Sequence, residues 1–328
     1  MKRYHHLFSF FASFTFSLCL IFACNGAVTA QPLQQIDGGL FYFPPTQSLL
    51  TIGGWGPEDW SPLSTVWSLA ANGWSAFPDI PAGITHTTAA YDPINQRLIA
   101  IGGVMPDQST WAFDGAAWSK LADPIVTDIF GGDPEIIFDP ALGQFVMYYS
   151  HYPFLPDAPP GTTYFWEENG WVKQDITPAP PAAVDVAFVY DDTRAEGVWF
   201  SGNETWTWKN GAWIQKNPSA SPAFDFGEFN MVYDAARSQC LLYGKGETWT
   251  WDGANWTKQS PAVSPETPER GFFAMGFDAH RHVVVLFGGE LILDPATYET
   301  AYLDDIWEWN GSTWRPFSET SVAEWMNY

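Results

Sequence analysis

The stretch Glu247-Thr248-Trp249-Thr250-Trp251-Asp252-Gly253-Ala254-Asn255-Trp256 contains the pattern that decides the fold. Aromatic and β-branched residues flank the dipeptide Asp252-Gly253, and Asp-Gly in such a setting is a strong signal for a β-hairpin with a two-residue turn. Trp249 and Trp256 stand seven residues apart across this turn. The segment therefore predicts two short antiparallel strands.

The same hairpin signature occurs six times along the chain. Each copy has an aromatic residue, an Asn-Gly or Asp-Gly dipeptide, and a tryptophan seven residues after the aromatic: Trp67/Trp74, Trp111/Trp118, Tyr164/Trp171, Trp206/Trp213, Trp249/Trp256 and Trp307/Trp314. The chain has 19 tryptophans in 328 residues, and most of them belong to this motif. They are therefore interpreted first as architecture and only second as ligand platforms.

A second signature precedes each hairpin. Five copies have an aromatic residue followed by Asp, and the sixth has Tyr42-Phe43 in its place: Tyr91-Asp92, Phe138-Asp139, Tyr190-Asp191, Tyr233-Asp234 and Phe277-Asp278. Ten residues after the Asp stands a pair of small residues, or a pair in which only one residue is small; in the second unit the pair is Gly102-Gly103. The Asp residues are interpreted as turn residues. Each unit then reads as four short strands, in the second unit Thr87–Tyr91, Leu98–Ile101, Thr110–Phe113 and Trp118–Leu121.

The combined aromatic-Asp, Gly-Gly and Trp pattern resembles the kelch repeat of the galactose oxidase-like propeller superfamily, over about residues 37–317. The resemblance implies an all-β fold, a six-bladed kelch-type β-propeller with four antiparallel strands per blade. Because each blade buries its faces against its neighbours, residues 31–328 are expected to form one domain with a short C-terminal tail. The predicted blades span 37–79, 84–122, 131–176, 183–217, 226–259 and 270–317.

The first thirty residues have the pattern of an export signal. Two basic residues precede an apolar run from Leu7 to Ala23, and small residues follow up to Ala30, so residues 1–30 are predicted to be a signal peptide of bacterial type. The sequence around Cys24 also resembles a lipobox, which leaves lipid anchoring through Cys24 as an alternative. An apolar run of 17 residues is short for a membrane-spanning helix. We therefore expect a periplasmic or secreted protein with no transmembrane segment.

The net charge limits the classes of partner that the protein can bind, and the cysteine content limits the disulfides that it can form. The chain has 37 Asp and Glu against 14 Lys and Arg, a net charge of −23, and such a surface repels phosphate backbones, so no nucleic-acid partner is expected. Of three cysteines, Cys240 alone lies outside the predicted signal. An internal disulfide is therefore not expected, and Cys240, within an apolar run, is interpreted as a buried thiol. The chain is expected to be a monomer.

Ionisable residues recur at the start of the predicted first strand of each unit, six positions before the repeat Asp. They are Asp37, His86, Asp133, Asp185 and Glu228, with Phe272 in the sixth unit. In a propeller they would surround the mouth of the central channel, with Glu135 and Asn230 one step deeper. Gathered carboxylates repel each other unless a cation, a hydrogen-bonding ligand or a raised pKa relieves them. The alternative is that they only hydrogen-bond loop amides or water.

Long segments between the second and third strands bring aromatic residues towards the same face. Trp55, Trp60 and Tyr152 are the candidates, because aromatic rings beside carboxylates suit the faces of sugar rings; alternatively they hold the loops onto the blades. A binding module for a glycan or a protein partner is therefore expected, with Arg270 as a further ligand-binding candidate. The alternatives are a cofactor-free sugar mutarotase or epimerase, a metal-dependent activity and a cell-envelope scaffold.

No cofactor and no metal site is expected. The copper chemistry of galactose oxidase requires two histidines and a tyrosine crosslinked to cysteine near the channel. Here Cys240 lies within a predicted strand, and only His86 and His151 lie on the relevant face. A mutarotase needs no more than acid and base groups in a pocket, which Glu228, His86 and Arg270 could supply.

Overall fold

The structure is a computed structural model that describes residues 32, 37–56, 61–102, 108–124, 133–151, 159–224, 227–265, 270–294 and 299–317. The predicted signal peptide with Cys24, the residues Trp60 and Tyr152, and the tail after Phe317 lie outside this part of the chain. Within it the fold is all-β, with one short 3-10 turn at Pro44–Thr46. No helix of the described residues has the length and apolar character needed to cross a membrane.

Six sheets have four antiparallel strands each, in chain order from the first strand to the fourth. The first three sheets consist of β1 (Gly39–Phe43), β2 (Ser48–Ile52), β3 (Val66–Ala70) and β4 (Gly73–Phe77); β5 (Thr88–Asp92), β6 (Arg97–Ile101), β7 (Thr110–Phe113) and β8 (Trp118–Ala122); and β9 (Asp133–Asp139), β10 (Gln144–Ser150), β11 (Thr162–Glu167) and β12 (Gly170–Gln174).

The next three sheets consist of β13 (Ala187–Asp191), β14 (Glu196–Ser201), β15 (Glu204–Lys209) and β16 (Ala212–Lys216); β17 (Phe229–Asp234), β18 (Gln239–Gly244), β19 (Glu247–Trp251) and β20 (Trp256–Lys258); and β22 (Ala274–Asp278), β23 (Val283–Phe287), β26 (Ile306–Trp309) and β27 (Trp314–Pro316). Each of the six sheets is built from one of the six sequence units.

A seventh sheet has three strands, and the sequence did not predict it. It pairs β21 (Arg270–Gly271) with β24 (Glu290–Asp294), and β24 with β25 (Glu299–Tyr302). The segment between β23 and β26 was expected to be a long loop. Its two short runs of apolar and β-branched residues pair instead as a hairpin beside the sixth four-stranded sheet.

The turns follow the local chemistry of the two signatures. At the hairpin between β19 and β20, Asp252 Oδ1 accepts the N–H groups of Ala254 and Asn255, both at 2.8 Å, and Gly253 adopts a φ of +98°, which an L side chain rarely tolerates. At the other signature, Asp92 Oδ1 accepts the N–H groups of Ile94 and Asn95. The interpretation of the repeat Asp as a turn residue is confirmed.

The first strands of the six four-stranded sheets are neighbours of each other in space. β1 contacts β5 and β22, β9 contacts β5 and β13, and β17 contacts β13 and β22, so the order of contacts returns to its starting strand. Apolar clusters fill the space between consecutive sheets. Tyr148 of β10 and Trp199 of β14, for example, pack edge to face with ring centroids 5.5 Å apart. Cys240 is buried in one such cluster, as the sequence predicted.

In the third to sixth four-stranded sheets, a tryptophan of the fourth strand ties the sheet to the preceding one. The indole N–H donates to a threonine hydroxyl on the third strand of that sheet, at 2.8 to 2.9 Å: Trp171 to Thr110, Trp213 to Thr163, Trp256 to Thr205 and Trp314 to Thr248. Three of the four bonds are buried. The tryptophan of the hairpin signature therefore joins neighbouring sheets as well as filling the core.

We expect Thr205→Val to lower the free energy of unfolding by about 1 to 3 kcal/mol, because it leaves the buried Trp256 N–H without an acceptor while the side-chain volume hardly changes. Urea unfolding of the two proteins measures the difference. Thr257→Val is the matched control, since Thr257 lies exposed on β20, and we expect a change within about 0.5 kcal/mol. Equal effects of the two substitutions would contradict the role given to the bond.

Candidate functional site

A cavity of about 590 Å3 runs between the six first strands. One end, called the acidic end below, is lined by four residues of the predicted ring: Asp37, His86, Asp133 and Asp185. Phe272 of the sixth unit lines it as well, and Glu135, Asn230 and Thr88 line the cavity further in. The repeat register of the sequence therefore located a real cluster of ionisable groups.

Asp37 and His86 form a close pair at the acidic end. His86 Nε2 lies 2.7 Å from Asp37 Oδ2, and both side chains are about one-fifth exposed. Burial lowers the pKa of His86, but the charge and hydrogen bond of Asp37, helped by Asp133 and Asp185, outweigh it and raise that pKa to about 9. His86 is therefore an imidazolium at neutral pH. Its Nδ1 has no hydrogen-bond partner within the described chain.

Asp185 is held in a setting that favours its protonated form. Burial raises the pKa of its carboxyl to about 7, and the charges of Asp37 and Asp133 add to this, against a hydrogen bond from the Gly227 N–H that lowers it. That bond joins Gly227 N to Asp185 Oδ2 at 3.0 Å. Near neutral pH the Asp185 carboxyl can therefore either donate or accept a proton.

Glu135 lies deeper than Asp185 and is harder to ionise. Thr88 Oγ1 donates to Glu135 Oε2 at 3.0 Å and itself accepts the N–H of Ile136 at 3.1 Å. Burial raises the pKa of Glu135 well above its usual range, although the bond from Thr88 opposes the shift. Among its described lining residues the cavity therefore has one cation, His86, and two carboxyl groups, Asp185 and Glu135, whose raised pKa values favour the protonated form.

A chain of backbone hydrogen bonds links the strand entrances around the acidic end. His86 N donates to Asp37 O, Asp37 N to Phe272 O, and Phe272 N to Gly227 O, each at 2.9 Å. All four residues have a positive φ, between 48° and 73°. Three of them are not glycine, and this conformation costs about 1 kcal/mol or more at each. Such strained residues persist where the surrounding structure fixes them. The backbone that carries the side chains of Asp37 and His86 is therefore held in one conformation.

Two other predicted site residues are engaged elsewhere. Glu228 pairs with Lys245 at 2.7 Å, and it does not belong to the described residues that line the cavity. Arg270 is 2% exposed and forms a two-pronged ion pair with Asp305, at 2.7 and 2.6 Å. Its Nη1 also donates to Gly288 O. These contacts place Arg270 as the anchor of the three-stranded sheet, away from the cavity lining.

The aromatic candidates are only partly described. Trp55 is half-buried and forms an isolated backbone bridge with Pro62, outside the cavity lining. Trp60 and Tyr152 fall outside the described residues, so their proximity to the acidic end stays a prediction. His151, next to Tyr152, lies with Nε2 3.1 Å from Thr162 Oγ1.

One acidic residue near the site could not be recognised from the repeat. Glu290 is buried on β24, and burial together with the charge of Asp37 raises its pKa. The additional hairpin therefore brings a carboxyl group close to Asp37. Its position directly after Gly288-Gly289 was visible in the sequence, but only the pairing of β24 with β21 turns it towards the cluster.

The chemistry available at the acidic end is that of proton donors and acceptors. Among the described residues no group of three or more His, Cys, Asp and Glu side chains has the arrangement to hold a metal ion.

A scan against protein-family models gave no match, and a search of curated proteins gave none either.

Proposed function

We propose that the six four-stranded sheets are the blades of a six-bladed propeller of kelch type. Three observations support this: each sheet corresponds to one sequence unit, the contacts between first strands form a closed order, and a cavity runs between those strands. Under this proposal the cavity is the central channel and residues 31–328 form one domain. The predicted signal supports export to the periplasm or beyond the cell.

We further propose that the protein is a binding module that takes a sugar residue of a glycan at the acidic end. The observation that carries this is the gathering of Asp37, His86, Asp133 and Asp185 at one end of the cavity. Ionised and protonated carboxyls side by side offer hydrogen-bond acceptors and donors together, which sugar hydroxyl groups can match in pairs. The positive charge of His86 offsets part of the negative charge there.

Replacing Asp185 tests the proposal. We expect Asp185→Ala to weaken glycan binding at least tenfold, because it removes a carboxyl group that faces the ligand and leaves its partner groups unpaired. Calorimetric titration of residues 31–328 with the best ligand from a panel of oligosaccharides and monosaccharides provides the measurement.

Glu228→Gln is the control for this experiment, since the Glu228 side chain pairs with Lys245 outside the cavity lining. It should leave the dissociation constant within about twofold. Equal losses for both variants would place the ligand elsewhere on this face. The absence of binding across the whole panel would contradict the glycan proposal and favour a protein partner.

A second candidate function is sugar mutarotation or epimerisation without a cofactor. It is favoured by one observation, the raised pKa of about 7 that burial gives Asp185 beside the His86 imidazolium. A group that titrates near neutral pH is suited to general acid–base catalysis. Exchange between anomer signals in proton NMR detects this activity. If it is present, His86→Gln should abolish it, whereas Glu228→Gln, outside the cavity lining, should leave it unchanged.

A further inference from the structure

The cavity has a second end, which is surrounded by aromatic side chains and is called the aromatic end below. Each first strand contributes one of them, always at its second-to-last residue: Tyr42, Tyr91, Phe138, Tyr190, Tyr233 and Phe277. All six line the cavity and are half-buried. Pro93, Pro140 and Asp192 lie just beyond them, line the same cavity and are exposed. This end therefore opens to solvent.

The two ends are far enough apart to act independently. His86 lies two residues before β5 and Tyr91 lies on β5, so five residues separate them, which is at most about 17 Å at the rise of an extended chain. The cavity of about 590 Å3 extends over this distance, since residues at both ends line it. A slim group can therefore enter the aromatic end without reaching Asp37 or His86.

The charge of the cavity favours a cation at the aromatic end. The described residues that line it include five carboxyl groups, one histidine and no Lys or Arg. Asp192 lies at the aromatic end, and the others lie at the acidic end or further in from it: Asp37, Asp133, Glu135, Asp185 and His86. Asp192 is exposed beside the aromatic rings. Burial raises the pKa of Tyr190 to about 12, and the charges of Asp139, Asp192 and Asp191 add to it. The ring of Tyr190 therefore sits in a negative potential.

Aromatic rings attract cations through their electron-rich faces, and a ring of several aromatic side chains is the arrangement that binds alkylated ammonium groups. An alkylammonium ion combines apolar methyl groups, which suit the rings, with a diffuse positive charge, which suits the carboxyl groups. An anion would be repelled by the cavity, and a neutral apolar ligand would gain nothing from Asp192.

We propose that the aromatic end is a separate binding site for a small organic ammonium ion of about the size of choline. The site is built from Tyr42, Tyr91, Phe138, Tyr190, Tyr233 and Phe277, with Asp192 supplying the opposing charge. It does not depend on what binds at the acidic end.

Calorimetric titration with choline at low salt tests the proposal, with 3,3-dimethylbutan-1-ol as the neutral molecule of the same shape. We expect choline to bind at least tenfold more tightly than the alcohol. Tyr190→Leu should weaken choline binding at least tenfold, whereas Tyr190→Phe, which keeps the ring, should leave it within about threefold. Asp192→Asn, an exposed change that spares the core, should weaken it severalfold.

Two controls assign the effect to the aromatic end. Tyr164→Leu alters a half-buried aromatic of β11 that does not line the cavity, and Asp185→Ala alters the acidic end; neither should change choline binding by more than about twofold. Equal affinity for choline and the alcohol overturns the proposal. So does unchanged binding in both the Tyr190→Leu and Asp192→Asn proteins, or a loss in the Asp185→Ala protein as large as in Tyr190→Leu.

Discussion

Gly276→Ala is expected to lower the free energy of unfolding by about 2 to 3 kcal/mol, because the sixth and first sheets approach too closely at this point for a methyl group. A Cβ atom on Gly276 would lie 2.6 Å from the carbonyl oxygen of Leu40 and 2.8 Å from a methyl carbon of Leu49. The nearer atom belongs to the backbone of β1, so the strand itself has to move. This contact joins the last repeat unit to the first and so completes the order of neighbours.

Gly170→Ala is the matched control for this substitution. Gly170 begins β12, and a Cβ atom there would meet nothing within 4 Å, so we expect a change of less than about 1 kcal/mol, in the stabilising direction if any. Urea unfolding followed by tryptophan fluorescence compares the three proteins. If Gly276→Ala were as harmless as Gly170→Ala, the first and last sheets would not be packed as the structure has them.

Much of the fold could be predicted because its determinants are local. The Asp252-Gly253 turn, the Asp92 turn and the flanking aromatic residues act within about ten residues, and their repetition makes each unit support the interpretation of the others. The strands predicted in the second unit agree with β5 to β8 to within one residue. The seventh sheet escaped prediction because β21 and β24 lie about twenty residues apart, and their pairing depends on the fold around them.

The candidate site was predictable to a smaller extent. Counting back from the repeat Asp located Asp37, His86, Asp133 and Asp185 at one end of the cavity. The same count included Glu228, whose carboxylate turns to Lys245. The repeat register predicts the backbone position of a residue, but the nearest opposite charge decides which way its charged group points. That charge lies on a different segment and leaves no mark at the position itself.

The aromatic end shows a different limit. The six aromatic residues before the turns were visible as part of the repeat, and their regularity suggested architecture. Their half-exposure around a shared cavity emerges only when the six strands are brought together. A residue that recurs in a repeat can therefore pack within the fold on one side and contact a ligand on the other.

The stability of the protein is expected to fall as the pH rises from 5 to 9. Burial raises the pKa of Asp185 from 3.8 to about 7 and that of Glu135 well above 4.5, and Asp37 raises the pKa of His86 from 6.5 to about 9 against the effect of burial. In these windows the folded protein holds protons that the unfolded chain has released. The stability that each group contributes is therefore fully present below its pKa in the unfolded chain, and it is lost as the pH rises through its pKa in the folded protein.

Asp185→Asn isolates one step of this dependence, because asparagine resembles the protonated carboxyl group but cannot release a proton. We expect the variant to match the wild type near pH 4 and to be more stable than it at pH 8, by about 1 to 3 kcal/mol after allowance for solvent near the group. Urea unfolding at pH values from 4 to 9 gives both curves. Asp114→Asn, at an exposed turn, should leave the slope above pH 5 unchanged. Parallel curves for the wild type and the Asp185→Asn protein would mean that this carboxyl group is ionised at neutral pH, and the acidic end would then present to a ligand only acceptors and the His86 cation.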